Sequence, residues 1–449
     1  MNLPRLLFII SLVFFLIRNI TLSLAMPIWS HGDEMAHVDY ILKVGRGSIP
    51  TAAEQIEPEL FELHREYGIL SSHASDTESS RSRAKITDIR ELGYGGYSYQ
   101  AKHPPLAYFF FALFQKLFQL LGLSLLIQIK LLRLVSMAVA LLGMFAIFLE
   151  LVKQTRLGAP YLLTLISLPL LAQDMFFCVN NDVFSFFCGC LVVVGMLRLS
   201  RDPYSTRNWL WISLAIALSL WVKLTNVLLL GLFVLFLILL LFNRREKKLL
   251  LPSVFYVLLP VLLALPWYVY RQLSFGAWWI SHVPKGVPHP TGYHVAALNL
   301  DSLWLFLRAF TRTLFRGELF WRGGYFDLFS EGMNDIFLTV LPLLLAVSGL
   351  AAAFIISKDP KRDGISVGHF ALFCPAAGLA LLFGYYFVGL IPFYQARLAM
   401  ASFYFLLFPC CLGALKILRS EKLAYVLVFS GLFLYNFFYT AKLLSSLLP

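Results

Sequence analysis

The chain has 449 residues, is 59% hydrophobic and only 14% charged, and contains 41 Phe. Apolar runs recur along its whole length with no soluble-looking half, which excludes a string of soluble domains and places it among membrane proteins. Its net charge of +12, from 37 Lys plus Arg against 25 Asp plus Glu, has no basic soluble module to sit on. Nucleic acid is therefore excluded as a partner, and the excess reads as cytoplasmic loop charge and contact with anionic lipid or phosphate.

The N-terminus, "MNLPRLLFIISLVFFLIRNITLSLAM", has an apolar part too long for a signal-peptide core and carries Arg18 inside it. It reads as an uncleaved membrane helix. Counting it, twelve apolar runs lie near 5–26, 106–126, 128–151, 159–177, 183–198, 208–222, 225–242, 249–270, 335–356, 367–391, 397–415 and 423–445. Each is near the length that spans a bilayer. Polar segments at 27–104 and 271–334 interrupt them.

Charge in the short connections sets the topology. "VKQTR", "RLSRDPYSTR", "NRREKK", "SKDPKRD" and "KILRSEK" are all basic, so all five are expected in the cytoplasm. That arrangement fails if every run spans, and succeeds if 106–126 does not. This run carries Gln115, Lys116 and Gln119 after a Pro-Pro break, and it is expected as an amphipathic helix on the outer surface. The expectation is an all-α polytopic membrane protein of about eleven spanning helices, N-terminus cytoplasmic and C-terminus outside. It is one membrane-embedded domain, 1–449, with extracytoplasmic loops at 27–127 and 271–334.

Within the first loop "PELFELHREYG" predicts a short amphipathic helix, "SSHASDTESSRSRAK" is polar and mobile, and "GYGGYSY" is turn-like. In the second, "SHVPKGVPHPTGYH" is irregular and "LDSLWLFLRAFTRTLF" predicts a helix lying on the membrane. All six cysteines lie in or beside apolar runs, so no disulfide framework is expected, and "FFCGC" reads as small helix-packing residues.

With this topology every notable polar cluster falls outside. "SHGDEMAHVDY" sets Asp33 and Glu34 beside His31 and His37 just after the first apolar run. Asp33 and His37 are four apart and share a helix face, but a zinc protease of the H-E-x-x-H kind needs His at both ends. An acid here could simply cap the following helix. "KHPP" brings Lys102 and His103 to a rigid Pro-Pro step, as a loop end or as cations for an anionic group. "NND" gives Asn181 and Asp182, a polar turn or a second acid facing Asp33. Lys223 in "LWVKLTN" snorkels or meets a phosphate, and Arg397 in "YQARLAM" suits a phosphate by its forked donors. "FWRGGYFD" adds a further polar cluster in the second loop.

Taken in order, "DEMAH", "HPPL", "NND", a helix-embedded Lys and "QAR" resemble the GT-C superfamily of membrane glycosyltransferases. More narrowly they are similar to a bacterial family of multi-spanning membrane proteins of unknown function whose first loop opens P-D-E-x-x-H. The matching residues are Asp33, Glu34, His37, His103, Pro104, Pro105, Asn181, Asp182, Lys223, Gln395 and Arg397. Gly32 stands where that family usually has Pro, and "QARL" replaces Q-G-R-Y.

The resemblance implies a GT-C-like bundle in a bacterial plasma membrane. Its activity would be transfer of a sugar from a polyprenyl-phosphate carrier to a glycan, lipid or protein acceptor on the outer face. It implies Asp33, with Glu34 second, as the carboxylate near the acceptor hydroxyl. Lys102, His103, Lys223 and Arg397 then face the donor phosphate, and His37, Asn181, Asp182 and Gln395 the acceptor. A divalent metal, Mg or Mn, stays open as cofactor, with Asp33, His37 and Asp182 as its ligands if one is bound. A glycolipid transporter or flippase and a scaffold of envelope polysaccharide assembly are the competing readings. A transporter would place its site at the midplane and often carries a repeat, and neither is visible.

Overall fold

The computed structural model describes residues 3–30, 33–51, 54–67, 96–153, 158–244, 247–275, 300–321, 324–357, 370, 373–387 and 396–447. His31, Gln395, the polar 70–90 stretch and "SHVPKGVPHPTGYH" lie outside them.

The protein is an all-α polytopic membrane protein; among the described residues its β structure is a hairpin of two two-residue strands and an isolated bridge between Gln55 and Tyr97. Helix α1 (Leu3–Ala25) is followed by α2 (Glu34–Gly45), α3 (Pro58–Tyr67), α4 (Leu106–Leu120), α5 (Leu125–Lys153) and α6 (Ala159–Ser167). Then come α7 (Asp182–Arg201), α8 (Thr206–Leu220), α9 (Val227–Arg244), α10 (Leu250–Phe275) and α11 (Leu300–Arg316). Strands β1 (Phe320–Trp321) and β2 (Gly324–Tyr325) pair antiparallel, Phe320 opposite Tyr325. The chain closes with α12 (Glu331–Asp335), a π turn, α13 (Leu341–Ser357), α14 (Phe373–Phe387), α15 (Phe403–Leu418) and α16 (Glu421–Ser445).

Among the described residues, eight helices are long and apolar enough to cross a membrane, against the eleven expected. The difference lies in shorter helices under two apolar runs and in a third run, 367–391, that is described only in part. The 159–177 run is broken: α6 stops at Ser167, Pro169 sits in a 3-10 turn, and a second 3-10 turn covers Asp174–Phe177. Pro169 has no N–H to continue a helix. The freed chain then presents Gln173 to α11, whose Thr313 and Leu314 carbonyls accept from its Nε2 at 2.8 and 2.6 Å. Helix α8, at 15 residues, reaches only about 22 Å, and the 367–391 run is described only at 370 and 373–387.

The amphipathic expectations for 58–67 and 300–316 hold as α3 and α11. Helix α4 also has 15 residues, about 22 Å, too short for a hydrocarbon core of roughly 30 Å. Its Gln115 is buried and donates to Gln128 Oε1 of α5 at 3.0 Å, while Lys116 and Gln119 stay exposed.

Helix α2 is buried along nearly its whole length between these elements. Within α7, Gly189 lies against the Ala401 carbonyl so closely that any Cβ would overlap it. That contact seats the irregular 3-10 segment Ala396–Ser402 directly on α7. All six cysteines are free.

Candidate functional site

The site is built where the start of α2, the 3-10 turn Tyr99–Lys102, the end of α11 and the Ala396–Ser402 segment meet. Asp33 is the N-cap residue of α2, yet its side chain makes no capping bond. One carboxylate oxygen accepts from the Tyr99 hydroxyl and the other from Arg397 Nη1 at 2.8 Å. The capping explanation of Asp33 is therefore not what the carboxylate does. Arg397 reaches further: its Nε lies 3.1 Å from Glu318 Oε2. One guanidinium thus stands between two carboxyls from distant parts of the chain.

Glu318 was not foreseen in the sequence, where it is a single acid in "FRGELF". Its position is set by backbone. Gly317 has φ +77°, and a Cβ there would strike the Asp174 side chain and backbone. Asp174 Oδ1 accepts from the Glu318 amide at 3.0 Å. Ala396, next to Arg397, donates its amide to Thr313 Oγ1 of α11 at 2.9 Å, locking both ends of the pair. Gly317→Ala is expected to cost about 1–3 kcal/mol and to displace Glu318, read as a lowered melting temperature together with lost activity. An unchanged melting temperature would contradict the strain at this turn.

Glu34 points elsewhere. It is fully buried and forms a fork with Arg133 of α5, at 2.7 Å to Nε and 2.6 Å to Nη2. It also accepts from the amides of Trp29 at 3.1 Å and Val179 at 3.0 Å. All four contacts are internal, so Glu34 clamps α2 to α5 rather than facing a substrate. Arg133 lies inside an apolar run, and an intramembrane Arg is itself a signal for such a partner.

Asp182, at the start of α7, is paired with Lys223, and both are buried. Asn226 donates to Ser185 Oγ at 3.0 Å and to the Ser219 carbonyl at 2.8 Å, closing the same junction. Lys223 is therefore held rather than snorkelling. In "NND" the capping role falls to Asn180, whose Oδ1 accepts from Val183 N at 3.0 Å. Asn181 keeps a buried, unbonded Nδ2.

His37 is buried, with Nδ1 2.9 Å from the Tyr108 hydroxyl of α4. Tyr108 stacks on Tyr40 with centroids 3.8 Å apart, and Tyr40 donates to the His103 carbonyl at 3.2 Å. Deeper in α2, Asp39 accepts from Ser98 and from the Glu57 amide at 2.9 Å, fixing the strand of chain that carries Tyr99 and Lys102. The Lys102 ammonium lies over the Tyr99 ring at 5.4 Å, with no carboxylate in ion-pair range among the described residues.

Electrostatics join these pieces. Burial pushes the Glu318 carboxyl up to about 8; Arg397 opposes the rise, and Asp174, Asp182 and Asp33 add to it. Burial also brings Lys102 down to about 8, opposed by Asp33 and assisted by Lys223, Arg397 and Arg271. His103 is driven well below its usual value by burial and then by Lys102, Lys223, His37 and Arg271, so it is neutral and cannot act as a cation. Asp33, Asp182, Lys102, Lys223, Arg397 and Glu318 thus share one electrostatic neighbourhood. Arg316, one residue before Gly317, is turned to Asp327 of "FWRGGYFD".

As arranged, the residues considered as metal ligands are committed: Asp33 to Tyr99 and Arg397, His37 to Tyr108, Asp182 to Lys223. Among the described residues no group of three or more His, Cys, Asp or Glu is placed to hold an ion.

No protein-family model matches the chain, and no curated protein matches it. Among solved structures the chain is similar to the crystal structure of ArnT from Cupriavidus metallidurans bound to undecaprenyl phosphate. The two share 14% identity over 92% of this chain and 77% of that one, with a TM-score of 0.37.

Proposed function

We propose that the protein transfers a sugar from a polyprenyl-phosphate carrier to an acceptor hydroxyl, with Asp33 as base, on the extracytoplasmic face of a bacterial membrane. The observation that carries this is the Asp33 carboxylate. It is fixed by the Tyr99 hydroxyl and by a partly exposed ion pair with Arg397, does not cap its helix, and has Lys102, which no carboxylate among the described residues pairs, over the Tyr99 ring. The sequence resemblance to membrane glycosyltransferases points the same way.

The chemistry follows from the groups. An acceptor hydroxyl is a poor nucleophile until a carboxylate within hydrogen-bond reach takes its proton. The acceptor oxygen bonds to the anomeric carbon, the carbon–oxygen bond to phosphate breaks, and the proton ends on Asp33. The departing phosphate gains negative charge, which Lys102 and Arg397 oppose in surroundings drier than water. Lys223, neutralised by Asp182, serves to hold α7 to the α8–α9 junction. A lipid-linked donor also accounts for an enzyme of sugars being this apolar.

The test is direct. Purified protein given a polyprenyl-phosphate sugar is expected to release the carrier only when an acceptor is supplied. Movement of the glycolipid across the bilayer without covalent transfer would favour a flippase instead. The outward orientation has its own check. A reporter fused within residues 243–248 is expected to read as cytoplasmic, and an external reading would invert the proposed site.

A further inference from the structure

Arg397 serves two carboxyls with one charge, and the two are not equivalent. Asp33 has the Tyr99 hydroxyl as a second donor, and its side chain is 17% exposed. Glu318 is 7% exposed, and its Oε1 is buried without any hydrogen-bond partner. Asp33, Asp174 and Asp182 from α7 all bear on it and Arg397 opposes them, while Lys223 is engaged by Asp182 and Arg316 by Asp327. An ionised carboxylate with a bare, buried oxygen among three acids is costly, and the neutral form removes the cost. The neutral form also turns the bare oxygen into an O–H donor, and what it then lacks is an acceptor.

We propose that Glu318 works as an un-ionised carboxylic acid, with Oε2 held by Arg397 and Oε1–H donating to an anionic phosphate oxygen of the lipid carrier, so that carrier binding and protonation of Glu318 go together. This rests on the sugar-transfer reading and adds a residue to it. Ionised, Glu318 would set a negative charge against the phosphate. The acid's displacement to about 8 is in keeping with this state. Its neutral form is complete at pH values below that and is lost as pH rises through it, so carrier affinity falls in the same window.

The experiment is calorimetric titration of the full-length protein in detergent with a short-chain polyprenyl monophosphate, in buffers of different ionisation enthalpy. At pH 8, where about half of the wild-type Glu318 is ionised, wild type is expected to take up roughly half a proton more per lipid bound than Glu318→Gln. Protons taken up by Lys102 or by the phosphate itself are common to both proteins and cancel. At pH 6.5 the two are expected to bind within about threefold, because Gln is neutral and donates from the same position.

Equal proton uptake, or a loss of more than about tenfold in affinity for Glu318→Gln at pH 6.5, overturns the role of Glu318 and leaves the carrier reading standing. No binding by wild type overturns both. Should the variant fail to fold, infrared titration of wild type decides. A carboxylic-acid carbonyl band that shifts on adding the lipid and vanishes between pH 7 and 9 supports the proposal, and its absence overturns it.

Discussion

Asp33→Asn is expected to slow carrier release by about 10²- to 10⁴-fold, the range that a positioned general base contributes, with the melting temperature close to that of wild type. The amide keeps one oxygen that can accept from Tyr99 or Arg397, so the local geometry has a substitute. What it cannot do is take a proton. Asp33 and its partner Arg397 are both partly open, so the guanidinium left behind keeps contact with solvent and with Glu318 Oε2. Tyr99→Phe removes one of the two donors that orient the carboxylate and is expected to cost less, about one neutral-to-charged hydrogen bond. Initial rates of carrier release, measured beside thermal melts, check both. Full activity in Asp33→Asn would remove this residue from the mechanism.

Glu34→Ala has the opposite signature. It leaves the Arg133 guanidinium buried at 0% exposure without its carboxylate, and it strips the amides of Trp29 and Val179 of their acceptor. Breaking such a pair from one side costs about 3–5 kcal/mol, a large part of the stability of a folded domain. The expected result is a sharply lower melting temperature and poor recovery of folded protein. Replacing both partners with apolar residues of similar volume is expected to recover much of the loss, because no charge is then left alone. A Glu34→Ala protein that melts normally but transfers no sugar would instead place Glu34 in the chemistry.

Neighbouring residues with such different duties show why the site was only half legible. Successive positions on a helix point about 100° apart. Asp33 and Glu34 therefore face different partners, Arg397 on one side and Arg133 on the other. Nothing in "DEMAH" says which acid meets which arginine. Asp33 and Arg397 are separated by 364 residues, and their meeting depends on Gly189 letting the 396–402 segment sit against α7. His37 and His103 stood out as polar residues near the membrane. Packed against Tyr108 and Tyr40, they serve the wall of the site, and His103 carries no charge there. Glu318 gave no comparable signal, because a lone acid beside "RG" looks like any loop. Its meaning comes from the left-handed turn at Gly317 and from Arg397.

Composition and charge placement alone determined that this is a helical membrane protein, that 58–67 and 300–316 form amphipathic helices, and that Asp33 and Arg397 merited attention. Those properties are local. In lipid the backbone must satisfy its own hydrogen bonds, so an apolar run of sufficient length is a helix whatever surrounds it. Which partner each carboxylate meets was decided by the tertiary structure: Tyr99 and Arg397 for Asp33, Arg133 for Glu34, Arg397 for Glu318. A carboxyl's role depends on the charges, donors and solvent within a few ångströms, and here those come from the far end of the chain.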